Sequence, residues 1–161
     1  MIVYFSIYCF IGYCLESLYV SLLQRKWISS GLLKGPFIPL YGIGGCLLVI
    51  LYPFLSNHPL ISFFIGGLVV TSLELFASYF IECYFHTKCW DYKNHFLNFQ
   101  GRICLLYFII WCFLSYVVIT FFQPYLFNKY IVNDMTYILS LIYIIFILRA
   151  LIEKQKKGLD I

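Results

Sequence analysis

The chain has 161 residues, of which 63% are hydrophobic, 22% aromatic and only 11% charged. A water-soluble domain carries about a quarter charged residues, so this chain cannot clothe itself for water. Its apolar runs approach the ~20 residues needed to cross a bilayer, which makes it a polytopic membrane protein.

The first apolar block, Met1 to Leu23, is interrupted by Glu16. It lacks a basic leading region and no small-residue cleavage site follows it, so it reads as a retained span rather than a signal peptide. The stretch "SSGLLKGPFIPLYGIGG", Ser29 to Gly45, leads into the second block, about Phe37 to Leu55. Gly35-Pro36 and Pro39 impede a continuous helix there. Two readings stay open. One is a broken or re-entrant segment whose free amides and Lys34 meet an anion. The other is a turn followed by a small-residue packing face. The short connector "SNHP", Ser56 to Pro59, predicts a tight hairpin into the third block, Leu60 to Phe85, which contains Glu74 and Glu82.

The polar connector "FHTKCWDYKNHFLNFQGR", Phe85 to Arg102, separates the third block from the fourth, Ile103 to Phe122. The fifth block is Met135 to Ile152, with Arg149 near its end. In hydrocarbon the backbone must satisfy its own hydrogen bonds, so each block is predicted to be helical. The blocks lack the alternation of barrel strands. The expectation is an all-α bundle of about five transmembrane helices. They form a single integral membrane domain over 1–161, with helices near 1–23, 37–55, 60–85, 103–122 and 135–152.

The net charge of +4 is unevenly placed. Arg25, Lys26, Lys34, Lys88, Lys93, Arg102, Arg149, Lys154, Lys156 and Lys157 all fall on one side of a five-helix arrangement, and only Lys129 falls on the other. The positive-inside rule then puts the amino terminus outside and the carboxyl terminus in the cytoplasm. The charge is an orientation signal and does not point to a nucleic-acid partner.

Three carboxylates interrupt the helices, and a charge within the bilayer usually faces a bundle interior or a wet cavity. Glu16 lies nine residues before Arg25, about 13 Å along a helix, hence in the cytoplasmic half. Glu74, Ser78 and Glu82 recur every four residues, with Thr71 one turn earlier, and form one polar stripe. Arg102 is the natural cationic partner for a carboxylate. Asp91 and Lys34 lie in connectors on the same side. The candidate substrate-binding residues are therefore Glu16, Glu74, Ser78, Glu82, Asp91, Arg102 and Lys34. Trp27, Trp90, Tyr92 and Trp111 read as interfacial anchors.

Other chemistries find little support. His86, Cys89, Asp91 and His95 contain zinc-ligand types, but their spacing fits no standard site and two lysines lie nearby. There is no phosphate-binding loop, hydrolase elbow or metalloprotease motif. No metal or cofactor is expected. The seven cysteines are odd in number, form no C-x-x-C pair and lie mostly in apolar blocks, as small core residues do.

The order of motifs resembles a known family. It runs G-x-x-x-E at Gly12 and Glu16, then G-x-L-x-G-P-x-x-P-x-Y-G-x-G from Gly31 to Gly44. Next come Glu74, Ser78, Glu82 and Phe85, and then Trp90-Asp91-Tyr92, Asn98 and Gly101-Arg102. From Gly12 to Trp111 this is similar to the bacterial family named putative ABC-transporter permeases, type IV. The family pattern has Asn-Arg where this chain has Ser29-Ser30. The resemblance implies a multi-pass protein of the bacterial cell membrane, engaged in transport driven by a separate ATPase subunit. Five short helices enclose little space, so a homo-oligomer or hetero-complex is expected. Two alternatives from other classes remain. One is a membrane enzyme acting on a lipid or lipid-phosphate headgroup, with carboxylates as acid and base and Arg102 with Lys34 holding phosphate. The other is a non-catalytic assembly protein.

Overall fold

The computed structural model describes residues 1–128 and 131–159. Lys129, which carries the opposite side of the charge argument, lies outside them. The elements are α1 (Ile2–Gln24), α2 (Pro39–Leu55), α3 (Pro59–Phe85), α4 (Leu105–Val117), a π-helical turn (Val118–Phe122), α5 (Gln123–Asn128) and α6 (Asp134–Leu159). Among the described residues there is no strand, only an isolated bridge between Phe99 and Ile103. Four helical stretches are long and apolar enough to cross a membrane: Ile2–Gln24, Pro59–Phe85, Leu105–Phe127 and Asp134–Lys156. The helix α2 is apolar but shorter, at 17 residues.

The distribution of side chains suits a lipid solvent. On α3 the buried positions are mostly small or polar: Ser62, Gly66, Gly67, Thr71, Glu74 and Phe85. Its exposed positions include Leu60, Phe64, Leu68, Phe76 and Phe80. Water would drive the large apolar groups inward. In hydrocarbon that drive is absent, and close packing of small residues holds helices together.

The span that begins at α4 passes through Pro124, which lacks an amide hydrogen. The π-helical turn lies just before it, and the Gln123 amide bonds back to the Val118 carbonyl. Such a turn rephases the hydrogen-bond ladder around the missing donor. Helix therefore continues beyond Phe122, where the apolar block ends.

The chain forms two compact units, Met1–Cys46 with Val132–Ile161, and Leu47–Ile131. In the first, a Cβ at Gly12 would overlap Tyr41, one at Gly42 would press on Phe5, and one at Gly45 would overlap Tyr8. These glycines let α1 and the start of α2 touch backbone to ring. The connector before α2 runs back along α1. The Ile28 amide donates to Ser21 Oγ at 2.9 Å, and the Ser30 amide to Ser17 Oγ at 3.0 Å. Leu33 and Phe37 are buried with Cys9, Ile147 and Ala150. The Tyr143 hydroxyl closes this core by donating to the Pro36 carbonyl at 2.6 Å. The stretch therefore turns back along α1, Gly42 and Gly45 at the start of α2 pack against that helix, and Lys34 is exposed.

In the second unit, Leu48, Leu55 and Ile119 form a core cluster. A Cβ at Gly66 would press on Ser115, and one at Gly67 would overlap Cys112. The antiparallel helices α3 and α4 therefore approach closely along this seam.

Candidate functional site

The polar stripe of α3 faces α4 and the connector between them. Glu74 is only 3% exposed. Trp111 Nε1, on α4, donates to its Oε2 at 2.9 Å. The Tyr92 hydroxyl, from the connector, donates to Oε1 at 3.0 Å. Both carboxylate oxygens thus accept from neutral aromatic donors, which offsets the cost of burying them.

The connector reaches Glu74 because it is tightly folded. The helix α3 ends at His86, which adopts a left-handed conformation (φ 51°) and turns the chain back. The Tyr92 amide then donates to the Gly101 carbonyl at 2.7 Å. Asn98 ties the loop internally: its Nδ2 donates to the carbonyls of Lys93 and His95, and its Oδ1 accepts from the Gly101 amide, each at 3.0 Å. Gly101 has φ 70°, and a Cβ there would press on Asp91 Oδ1 and the Lys93 side chain. The Trp90 indole donates to the Arg102 carbonyl at 2.9 Å. The Tyr92 ring stacks on Tyr107 of α4 at 4.3 Å, with His95 edge-on to both.

Toward the end of α3 lies a second cluster. Arg102 pairs with Glu82 and donates to Ser78 Oγ at 3.3 Å. Its guanidinium carbon lies 3.9 Å from the centre of the Tyr79 ring, a cation–π contact. The Arg102 Nε is buried with no hydrogen-bond partner. Lys88 Nζ lies 3.6 Å from the other oxygen of Glu82. Ser78, Lys88, Trp90, Asp91, Gly101 and Arg102 help to line a pocket that admits no more than a water-sized group. Asp91 accepts from the Lys93 amide at 3.0 Å and its other oxygen lies 3.7 Å from Lys93 Nζ. Negative and positive groups alternate around this mouth, so its field is mixed.

Of the residues singled out in the sequence, Arg102 meets both Ser78 and Glu82, and Asp91 lines the same pocket as Ser78 and Arg102. Glu74 sits one turn deeper. Glu16 and Lys34 belong to the other unit. There, half-buried Glu16 accepts from the Tyr41 hydroxyl at 2.6 Å, and Lys34 is exposed. The two units repeat one arrangement: a helix bears a glutamate, the chain turns back along that helix, and a tyrosine from the returning part bonds the carboxylate.

Tyr41, Tyr92 and Trp111 bond the candidate carboxylates, a placement the sequence did not indicate. As an interfacial anchor Tyr92 would face lipid headgroups; instead it faces inward, because a carboxylate in hydrocarbon needs donors more than an interface needs another ring. The available signal was positional, since Tyr41 and Tyr92 both lie inside the glycine-rich and W-D-Y motifs. Among the described residues no group of three His, Cys, Asp or Glu is placed to hold a metal ion.

The family model described as Putative ABC-transporter type IV matches residues 3–153. Comparison with curated proteins and with solved structures returns no match. The match spans nearly all of the described helices and both glutamate–tyrosine pairs: the chain belongs to the Putative ABC-transporter type IV family, as a multi-pass membrane protein related to transport.

Proposed function

We propose that the protein is the membrane-embedded component of a transporter, built as one integral membrane domain in the bacterial cell membrane. Its amino terminus is outside, and the α3–α4 connector and carboxyl terminus are cytoplasmic. The substrate path enters through the mouth formed by Ser78, Glu82, Asp91 and Arg102 and reaches Glu74 as its floor. Glu16 and Lys34 supply a second polar station in the α1 unit. A separate ATPase subunit docks on the connector, and the working assembly holds more than one membrane subunit.

The observation that carries this reading is the bond from Tyr92 to Glu74. A cytoplasmic loop that covers a buried carboxylate joins two things a transporter must couple, a partner-accessible surface and an interior polar group. A force on the connector is felt at Glu74 without any intermediate helix. The mouth suits a headgroup enzyme less well, because Arg102 is already engaged by Glu82, Ser78 and Tyr79. A phosphate would have to displace these contacts.

Native mass spectrometry of the protein extracted gently from its own membrane tests the proposal. A retained ATPase subunit is the expected result. A strictly monomeric protein that retains no ATPase would overturn it.

A further inference from the structure

Glu74 is flanked by two donors of different kind. The Trp111 indole can only donate, so it holds Oε2 as an acceptor in every state. The Tyr92 hydroxyl both donates and accepts. If a proton binds Oε1, the new O–H can donate to Tyr92 Oη, and the tyrosine proton rotates away. Neither heavy atom has to move. Of these two partners, the reversible one is on the loop and the fixed one is on the helix. The polar face continues past Glu74. Thr71 Oγ1, one turn back on α3, is buried with no hydrogen-bond partner, and so is Ser115 Oγ, which faces Gly66 across the seam. A sequence selected only for packing would place Val and Ala there more cheaply.

We propose that Glu74 is a proton-binding site, with H⁺ as its ligand and Tyr92 as the hydroxyl that reverses when the proton arrives. The step is a transfer of one proton from hydronium to the carboxylate, giving water and the neutral acid: the O–H bond of the donor breaks as one forms at Oε1. Around Glu74, the connector contributes Tyr92 and, edge-on to that ring, His95; α4 contributes Tyr107 and Trp111; α3 itself carries Glu82, paired with Arg102, two turns away. The inference rests on the transport reading in one respect, that Glu74 is the floor of the substrate path.

Infrared difference spectroscopy of the full chain in liposomes, titrated from mildly alkaline to mildly acidic pH, is the test. The expected result is a carboxylic-acid carbonyl band that grows as pH falls and is missing in Glu74→Gln. A tyrosine C–O band should shift with the same midpoint and vanish from the difference spectrum in Tyr92→Phe. Glutamine can accept from Trp111 and donate to Tyr92, so Glu74→Gln imitates the protonated state and should keep the fold. Should it not fold, Tyr92→Phe serves instead, and its carboxyl midpoint must differ from that of the parent. A carboxyl band unchanged by Glu74→Gln, or a Tyr92→Phe protein with the parent midpoint, would overturn the proposal. The titration needs neither ATPase nor substrate. A titrating Glu74 in a protein that captures no ATPase defeats the transport reading alone, and captured ATPase with a non-titrating Glu74 defeats the proton site alone.

Discussion

The Tyr92 hydroxyl lies 3.0 Å from Glu74 Oε1, joining the middle of the α3–α4 connector to a carboxylate in the interior of α3. The contact spans 18 residues of chain and holds the loop against the helix that it has just left. Removing it separates the connector's own stability from that of the bundle.

Tyr92→Phe keeps the stack on Tyr107 but leaves Oε1 without this donor. A hydrogen bond to a charged group contributes about 1.5–3 kcal/mol. Amide hydrogen exchange should quicken between Trp90 and Ile103 while α3 and α4 remain protected. Trp111→Phe should do the opposite and loosen the α3–α4 seam first. Equal effects of the two changes on the connector would mean that the loop is held by its internal bonds alone.

Arg102→Lys retains the charge and loses the forked contact to Ser78 and Glu82, along with the flat stack over Tyr79. The thermal midpoint in nanodiscs should fall. The effect should be less than additive with Glu82→Gln, because either change breaks the same pair. Strict additivity would show that the two residues act separately.

Gly67→Ala tests the seam. The added methyl would overlap Cys112, including its backbone, so the helices must part, at a cost of about 1–3 kcal/mol. Leu68→Ala, one residue on and 52% exposed, should change stability far less. Thermal unfolding of the two variants side by side gives the comparison.

Orientation is open to a direct measurement. Reporters active only in the cytoplasm should work when fused after Ile161 or inserted near Lys93, and fail when fused before Met1. The reverse pattern would invert the topology drawn from Arg25, Lys26, Lys34 and the other basic residues.

The helices were legible because hydrocarbon leaves the backbone one economical choice, and block length reports it. The polar stripe was legible too, since Glu74, Ser78 and Glu82 repeat every four residues. The aromatic partners were not. Tyr92 and Trp111 sit far from Glu74 along the chain, and a tyrosine at an interface reads the same as one that points inward. What decides between them is the left-handed turn at His86, with the Asn98 and Gly101 bonds behind it. The helix beyond Phe122 was hidden for a different reason: Gln123-Pro124 looks like a stop, and only the preceding π-helical turn lets the ladder continue.

The connector between α1 and α2 has a consequence for the protein's surroundings. Phe37 packs level with Cys9, fifteen residues from the Gln24 end of α1, or about 22 Å along that helix. With α1 crossing the bilayer, non-helical backbone therefore lies at membrane depth. Acyl chains cannot solvate its peptide groups, so that flank must be insulated by protein or by a water-filled recess. Lipid can wet the outer ridges of α1 and α6, yet the groove occupied by the returning chain is a place from which hydrocarbon is barred.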